Sequence, residues 1–286
     1  MTAILLAITA AIFLGGGLVL TQFGLRHVHP LSGAAVSIPA FTLCFLMASP
    51  FLLAGQTIVW SAVPIFAAVG LVFPALLTLL TFAGNRALGP VVTASLGNVS
   101  PLFSVLLAVV LLGEPLRMWQ FAGLLMITAG VLVITVARTE AMRNWRTWAL
   151  LLPLGAAMLR GVIPPIIKIG LESWPNPIAA GLTGYIFSTI TVLTVERVRN
   201  GRFFVRAPVP GLLWFAVTGI CNGIGTLLLY AAVGAGRVSV VVPIIAAYPV
   251  FTVIMNMMVF GRSEGALRLA AGAALTVTGV VLILVG

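Results

Sequence analysis

Apolar residues run along this chain in long blocks, each closed by a short stretch carrying arginine, glutamate, glycine or proline. A helix needs roughly 20 apolar residues to cross roughly 30 Å of hydrocarbon. Ten blocks have about that length, at 3–22, 32–53, 61–82, 91–112, 117–137, 148–169, 178–196, 210–230, 238–259 and 266–285. The connectors are short, so consecutive helices should run antiparallel. The pattern also repeats. Residues 82–113 align without a gap on 230–261, with Pro101 matching Pro249. Each copy leads into an apolar helix with two spaced glycines, Gly123 and Gly130 in one and Gly272 and Gly279 in the other. Five crossings per copy is an odd number, which turns the second copy upside down in the bilayer. Carriers with such inverted repeats hold substrate where the copies meet. The expected fold is an all-α membrane protein of ten transmembrane helices, two inverted five-helix repeats (1–143 and 144–286) around a central cavity.

Composition agrees with this picture. Of 286 residues, 61% are hydrophobic and only 7% charged, a balance that would leave a soluble protein of this size with a largely apolar surface. Little is left for a separate soluble domain. The N-terminus carries no basic n-region and no cleavage site, so it reads as a retained first span. A net charge of +10 raises the question of nucleic acid. The basic residues are scattered between spans, however, without a basic face studded with aromatics, and no nucleic-acid partner is expected. They sort by side instead. Connectors after odd-numbered spans hold Arg26, Arg86, Arg138, Arg143, Arg146, Arg197, Arg199, Arg202, Arg206, Arg262 and Arg268, against Arg117, Lys168 and Arg237 on the other side. Basic residues in short loops stay cytoplasmic. A multi-pass protein of the cell (inner) membrane follows, with both termini outside the cytoplasm.

Polar residues inside spans narrow the function. All five acids are glutamates (Glu114, Glu140, Glu172, Glu196 and Glu264), each in a connector or at a span end. A proton antiporter usually needs a carboxylate within the membrane. Intramembrane aspartyl or zinc hydrolases need paired acids or histidines there, and a serine protease a buried base. His27 and His29 both lie in the first connector, and Cys44 and Cys221 are isolated within spans. Neither an enzyme nor a metal or cofactor is expected. One charge does lie deep, Arg160 near the middle of span six. Placing an arginine there costs roughly 2.5–3.5 kcal/mol on insertion scales, and it cannot shed its proton. A wet cavity or an anionic ligand is the natural partner. Lys168, eight residues on, is placed on roughly the same face and could line the cavity mouth. Gln22, Asn98, Asn222, Tyr230, Tyr248 and Asn256 are further candidates for substrate contact, with hydrogen bonds between helices as the other use of such groups. Pro39, Pro74, Pro101, Pro164, Pro165, Pro243 and Pro249 interrupt the blocks. The matched pair Pro101 and Pro249 suggests kinks that gate a cavity. Gly219 and Gly223 form a small-xxx-small pair suited to close helix packing.

These residues resemble a known family. Leu112-Gly113-Glu114 followed by Gly123 and Gly130, and again Phe260-Gly261-Arg262-Ser263-Glu264 followed by Gly272 and Gly279, resemble the EamA domain of the drug/metabolite transporter superfamily. The resemblance covers the whole chain. It implies a ten-helix basket whose cavity is lined by spans 1, 3, 4, 6, 8 and 9, and a carrier, more often an exporter, of amino acids, other metabolites or drugs. Three departures matter. The family's Trp-Gly positions read Leu14-Gly15 and Arg160-Gly161 here, and its lysine near the end of span one is Gln22, while the counterpart Lys168 is kept. Span one lacks the glutamate of small multidrug relatives. Ten-helix members commonly keep both termini inside. The reading is a transporter of amino acids or organic anions by alternating access, with substrate near Arg160. The rivals are multidrug efflux of hydrophobic compounds, with Phe13, Phe103 and Phe251 available, and a non-transporting scaffold or lipid-handling protein. The expected partners are a small-molecule substrate and the lipid bilayer, with a homodimer left open.

Overall fold

A computed structural model describes residues 1–88, 93, 96–136, 147–261 and 266–285. Among them there is no strand. The helices are α1 (Thr2–Gly24), α2 (Pro30–Leu52), α3 (Val63–Leu71), α4 (Leu77–Leu88), α5 (Ser100–Leu112), α6 (Met118–Val136), α7 (Leu151–Ser173), α8 (Pro177–Asn200), α9 (Val209–Ala235), α10 (Val238–Ala246), α11 (Tyr248–Phe260) and α12 (Ala266–Val285). A π-helical turn, Val72–Leu76, joins α3 to α4. Six stretches are long and apolar enough to cross a membrane: Thr2–Gly24, Pro30–Leu52, Trp148–Ser173, Pro177–Asn200, Val209–Ala235 and Val238–Phe260. Ser100–Leu112, Met118–Ile134 and Leu269–Val285 are shorter apolar helices. The chain is thus a multi-pass membrane protein.

The same local device starts the second helix of each copy. His29 and Asn176 each precede a proline, take extended backbone angles and cap the helix that follows. Asn176 Oδ1 accepts from the amides of Ile178 and Ala179 at 3.1 and 3.0 Å. Proline at the first helical position has no N–H to leave orphaned, and the capping side chain satisfies the next ones. Gly113 and Gly201 end α5 and α8 in the left-handed conformation, with φ of 63° and 72°.

Close approach through glycine holds the bundle together. A side chain on Gly123 would meet the Gly279 carbonyl at 2.6 Å, and one on Gly279 would meet the Gly123 carbonyl at the same distance. Gly130 and Gly272 face each other in the same reciprocal way, at 2.6 and 2.8 Å. Residue numbers rise along α6 as they fall along α12, so these equivalent helices cross antiparallel. Gly15 of α1 lies against Tyr248, Phe251 and Thr252 of α11, while Gly161 of α7 lies against Ser100, Phe103 and Ser104 of α5. The contact made by one copy on the other is returned. Gly219 and Gly223 admit Ser37 and Phe41 of α2, which is the packing use of that motif.

The paired prolines sit differently from the expected mid-helix kinks. Pro101 and Pro249 each occupy the first turn of a new helix, α5 and α11. The turn at Asn98 and Val99 precedes the first, and Ala247, at φ −74° and ψ 0°, separates α10 from the second. Proline is tolerated there because a first-turn N–H has no intrahelical acceptor. Both spans are therefore broken helices rather than bent ones. Pro39, Pro164, Pro165 and Pro243 do stay inside helices.

Candidate functional site

A cavity of about 430 Å³ lies where these broken helices meet. Among the described residues, every helix except α4 and α12 contributes to its lining. Three breaks border it: Phe73, whose backbone leaves the helical region at φ −109° and ψ 117°, Asn98, and the junction between Ala246 and Tyr248. Phe73 precedes Pro74, and a residue before proline is pushed toward extended angles. Irregular backbone at membrane depth is stable only where its polar groups find partners or water. Ser188 of α8 supplies one such partner, donating to the carbonyls of Gly70 at 3.1 Å and Phe73 at 2.9 Å.

Arg160 reaches into this cavity. Its Nη1 lies 3.9 Å from where a side chain on Gly97 would begin, beside the break preceding α5. Among the described residues it has no hydrogen bond or ion pair. Asn222 and Tyr248 also line the cavity, and their side chains make no hydrogen bond to other described residues. Gly17 leaves the room that Asn222 Oδ1 fills. Asn98, Tyr230 and Pro101 complete the set of expected residues that the cavity gathers. The Tyr185 phenol, paired with Thr226, joins them. Most of the remaining wall is aliphatic, with Leu14, Leu18, Ile163, Ile167, Val242 and Ile245 prominent.

Four expected residues lie elsewhere. Gln22 Nε2 donates to Asn256 Oδ1 at 3.2 Å, tying α1 to α11. Pro249 is not among the described residues that line the cavity. Lys168 Nζ donates to the carbonyls of Val233, Gly234 and Gly236 at 3.0, 3.3 and 3.1 Å, capping the end of α9. The reason is angular. Eight residues at 3.6 per turn bring a side chain about 80° past two full turns, off the face of Arg160.

Lys168 has an opposite number. The Glu114 carboxylate, buried just beyond α5, accepts from the Val238 amide at 2.7 Å and the Ser239 amide at 2.8 Å. The turn between α9 and α10 is therefore clamped by a cation on its free carbonyls and an anion on its free amides, each matched to a helix dipole. In the sequence the two ends of this clamp fall in separate connectors, and no local pattern joins them.

Residues missed from sequence include Tyr185, Ser188, Thr226, Thr128 and Ser104. Tyr185 is one of only three tyrosines and lies well inside a span, which was a usable signal. The lining also draws on spans two, five and seven, through Ser37, Thr128 and Tyr185, beyond the six the resemblance implied. A second hollow, of about 370 Å³, lies at one end of the bundle between His27, His29, Arg202 and Arg206. Its floor is Glu196, 4% exposed, which accepts from Ser32 and Asn200.

Broken helices around a lined cavity and a repeated glycine crossing define a helical membrane carrier as the class of protein. The profile of the EamA-like transporter family matches residues 1–136 and again 147–285, and the chain belongs to that family. It is a membrane transporter of small molecules. No curated protein matches it. A solved structure described only as "Crystal structure of protein" superposes with a TM-score of 0.79 at 20% identity, covering 99% of this chain and 98% of the other. That likeness speaks for the fold.

Proposed function

We propose that this chain carries small anionic or zwitterionic metabolites, such as organic anions or amino acids, by alternating access, with export as its direction. Substrate binds at Arg160, between two repeats that divide at 143/144. The reading takes ten membrane crossings as two inverted five-helix units, which the antiparallel crossing of α6 and α12 supports. The observation that carries it is a guanidinium without a partner among the described residues, in a hollow between the copies. A fixed cation at that depth costs free energy unless an anion or water meets it. Asn222 and Tyr248 supply hydrogen bonds beside it, and the breaks before α5 and α11 are where the two halves bend during the cycle.

The termini lie outside the cytoplasm in this reading. Arg202 and Arg206 line the hollow with His27 and His29, and Arg26, next to His27 in the chain, lies over the rings of Phe23 and Phe260, a grouping that suits the cytoplasmic face under the positive-inside rule. The aliphatic walls favour a second reading, efflux of hydrophobic compounds, but a charge facing an apolar drug would go unanswered. Transport in proteoliposomes tests the choice. Arg160→Ala should abolish movement of an anionic substrate while the protein still inserts and purifies. Unchanged transport removes Arg160 from the mechanism.

A further inference from the structure

We infer that the preferred substrate is an organic acid with one carboxylate, an apolar body and no ammonium group. This rests on the reading of Arg160 as the substrate site and narrows it. Among the described lining residues Arg160 is the only charged one, and there is no aspartate, glutamate or histidine. A carboxylate meets a guanidinium in a paired, two-bond geometry, reinforced by burial. The Asn222 amide and the Tyr248 hydroxyl are further donors without partners among the described residues.

An α-ammonium group finds the opposite. Once the carboxylate of an amino acid is seated on Arg160, its ammonium is held near the guanidinium with no negative side chain to balance it. The lining hydroxyls can accept from it but carry no charge to balance its own. Thr128 donates to Leu124 and Ser188 to Gly70 and Phe73, so each presents a neutral oxygen, and Thr226, which donates to Asn222, is already paired with Tyr185. Moving a desolvated cation into a cavity of net positive charge is unfavourable on both counts. The same cavity is lined by Leu14, Leu18, Ile163, Ile167, Val242 and Ile245, aliphatic surface suited to an alkyl or aryl body. The volume, about 430 Å³, falls within the range of small-molecule sites.

Matched ligands test this on the purified full-length protein at neutral pH, by calorimetry and thermal shift. Hexanoate, 4-methylpentanoate and 3-phenylpropanoate are compared with norleucine, leucine and phenylalanine, which add only the ammonium group. Pentylamine, 3-methylbutylamine and phenethylamine keep the ammonium and drop the acid. At least one acid should bind ~10-fold or more tightly than its amino acid, and the amines should not bind. Arg160→Gln should weaken the acid at least ~10-fold, and Arg160→Lys should restore part of the loss. Equal affinity for acid and amino acid, binding of an amine, or no binding of any acid at about 10 mM overturns the inference. The broader reading falls by a different result, an acid whose binding is indifferent to Arg160→Gln in a variant that melts like the parent.

Discussion

Removing the Glu114 charge should loosen the turn between α9 and α10 by an amount that can be worked out from its contacts. The carboxylate accepts two backbone amides at 2.7 and 2.8 Å and is buried. Hydrogen bonds to an ionised group contribute ~1.5–3 kcal/mol each. Glu114→Gln keeps one accepting oxygen and turns an NH2 toward the other amide, leaving a buried donor unanswered. The expected loss is ~2–4 kcal/mol, which for a chain of this size lowers the melting temperature by roughly 5–10 °C. Lys168→Met keeps most of the stem and frees the carbonyls of Val233, Gly234 and Gly236. It should act in the same direction. Because both side chains hold one turn, the double variant should lose less than the two single losses together. The assay is thermal unfolding of detergent-solubilised protein, followed by labelling of the free thiols Cys44 and Cys221. A Glu114→Gln protein melting within about 1 °C of wild type would refute the clamp.

Two other substitutions follow from packing. Gly130→Val places methyl groups where the Gly272 carbonyl and Thr276 already stand, so folded protein should disappear from membranes. Gly155→Ala, whose new atom would find its nearest neighbour 4.0 Å away, should be tolerated or slightly stabilising. Detergent-resistant yield distinguishes the two. The Ser104 hydroxyl is buried without a hydrogen-bond partner among the described residues. Ser104→Ala should therefore raise stability by ~1 kcal/mol, and a lower melting temperature would mean the hydroxyl is bonded after all.

Much of the scaffold could be read directly. Apolar blocks gave most of the helices, and the spaced glycines that mark the repeat lie where α6 crosses α12. Helix ends were harder, because hydrogen bonding continues past the apolar block. The block at 178–196 becomes a helix running to Asn200, through Arg197 and Arg199. Breaks were harder still. Pro101 and Pro249 announce a disruption, but whether a proline bends a helix or opens a new one depends on the partners its neighbours find. Of the site, Arg160, Asn222 and Tyr248 stood out because each is polar at mid-span. Gln22 and Asn256 were equally polar, yet they satisfy each other across 234 positions of sequence. No local pattern tells a group that faces a hollow from one that faces a helix. The expectations at Arg86 and Glu264 concern side chains outside the described residues.

The reciprocal crossing of α6 and α12 has a consequence for energetics. If the halves of a carrier were identical, swapping their conformations would give two end states of equal free energy. The resting molecule would then face either side with even odds. Any preference must come from positions where the copies diverge. Lys168 grips three carbonyls, whereas its counterpart Gln22 holds a single amide oxygen, and Arg160 stands opposite Leu14. In the proposed alternating-access cycle, the better-fastened end is the one expected to be shut at rest. Making the fastenings alike, by Lys168→Gln or Gln22→Lys, is the way to tilt its resting orientation without touching the hollow.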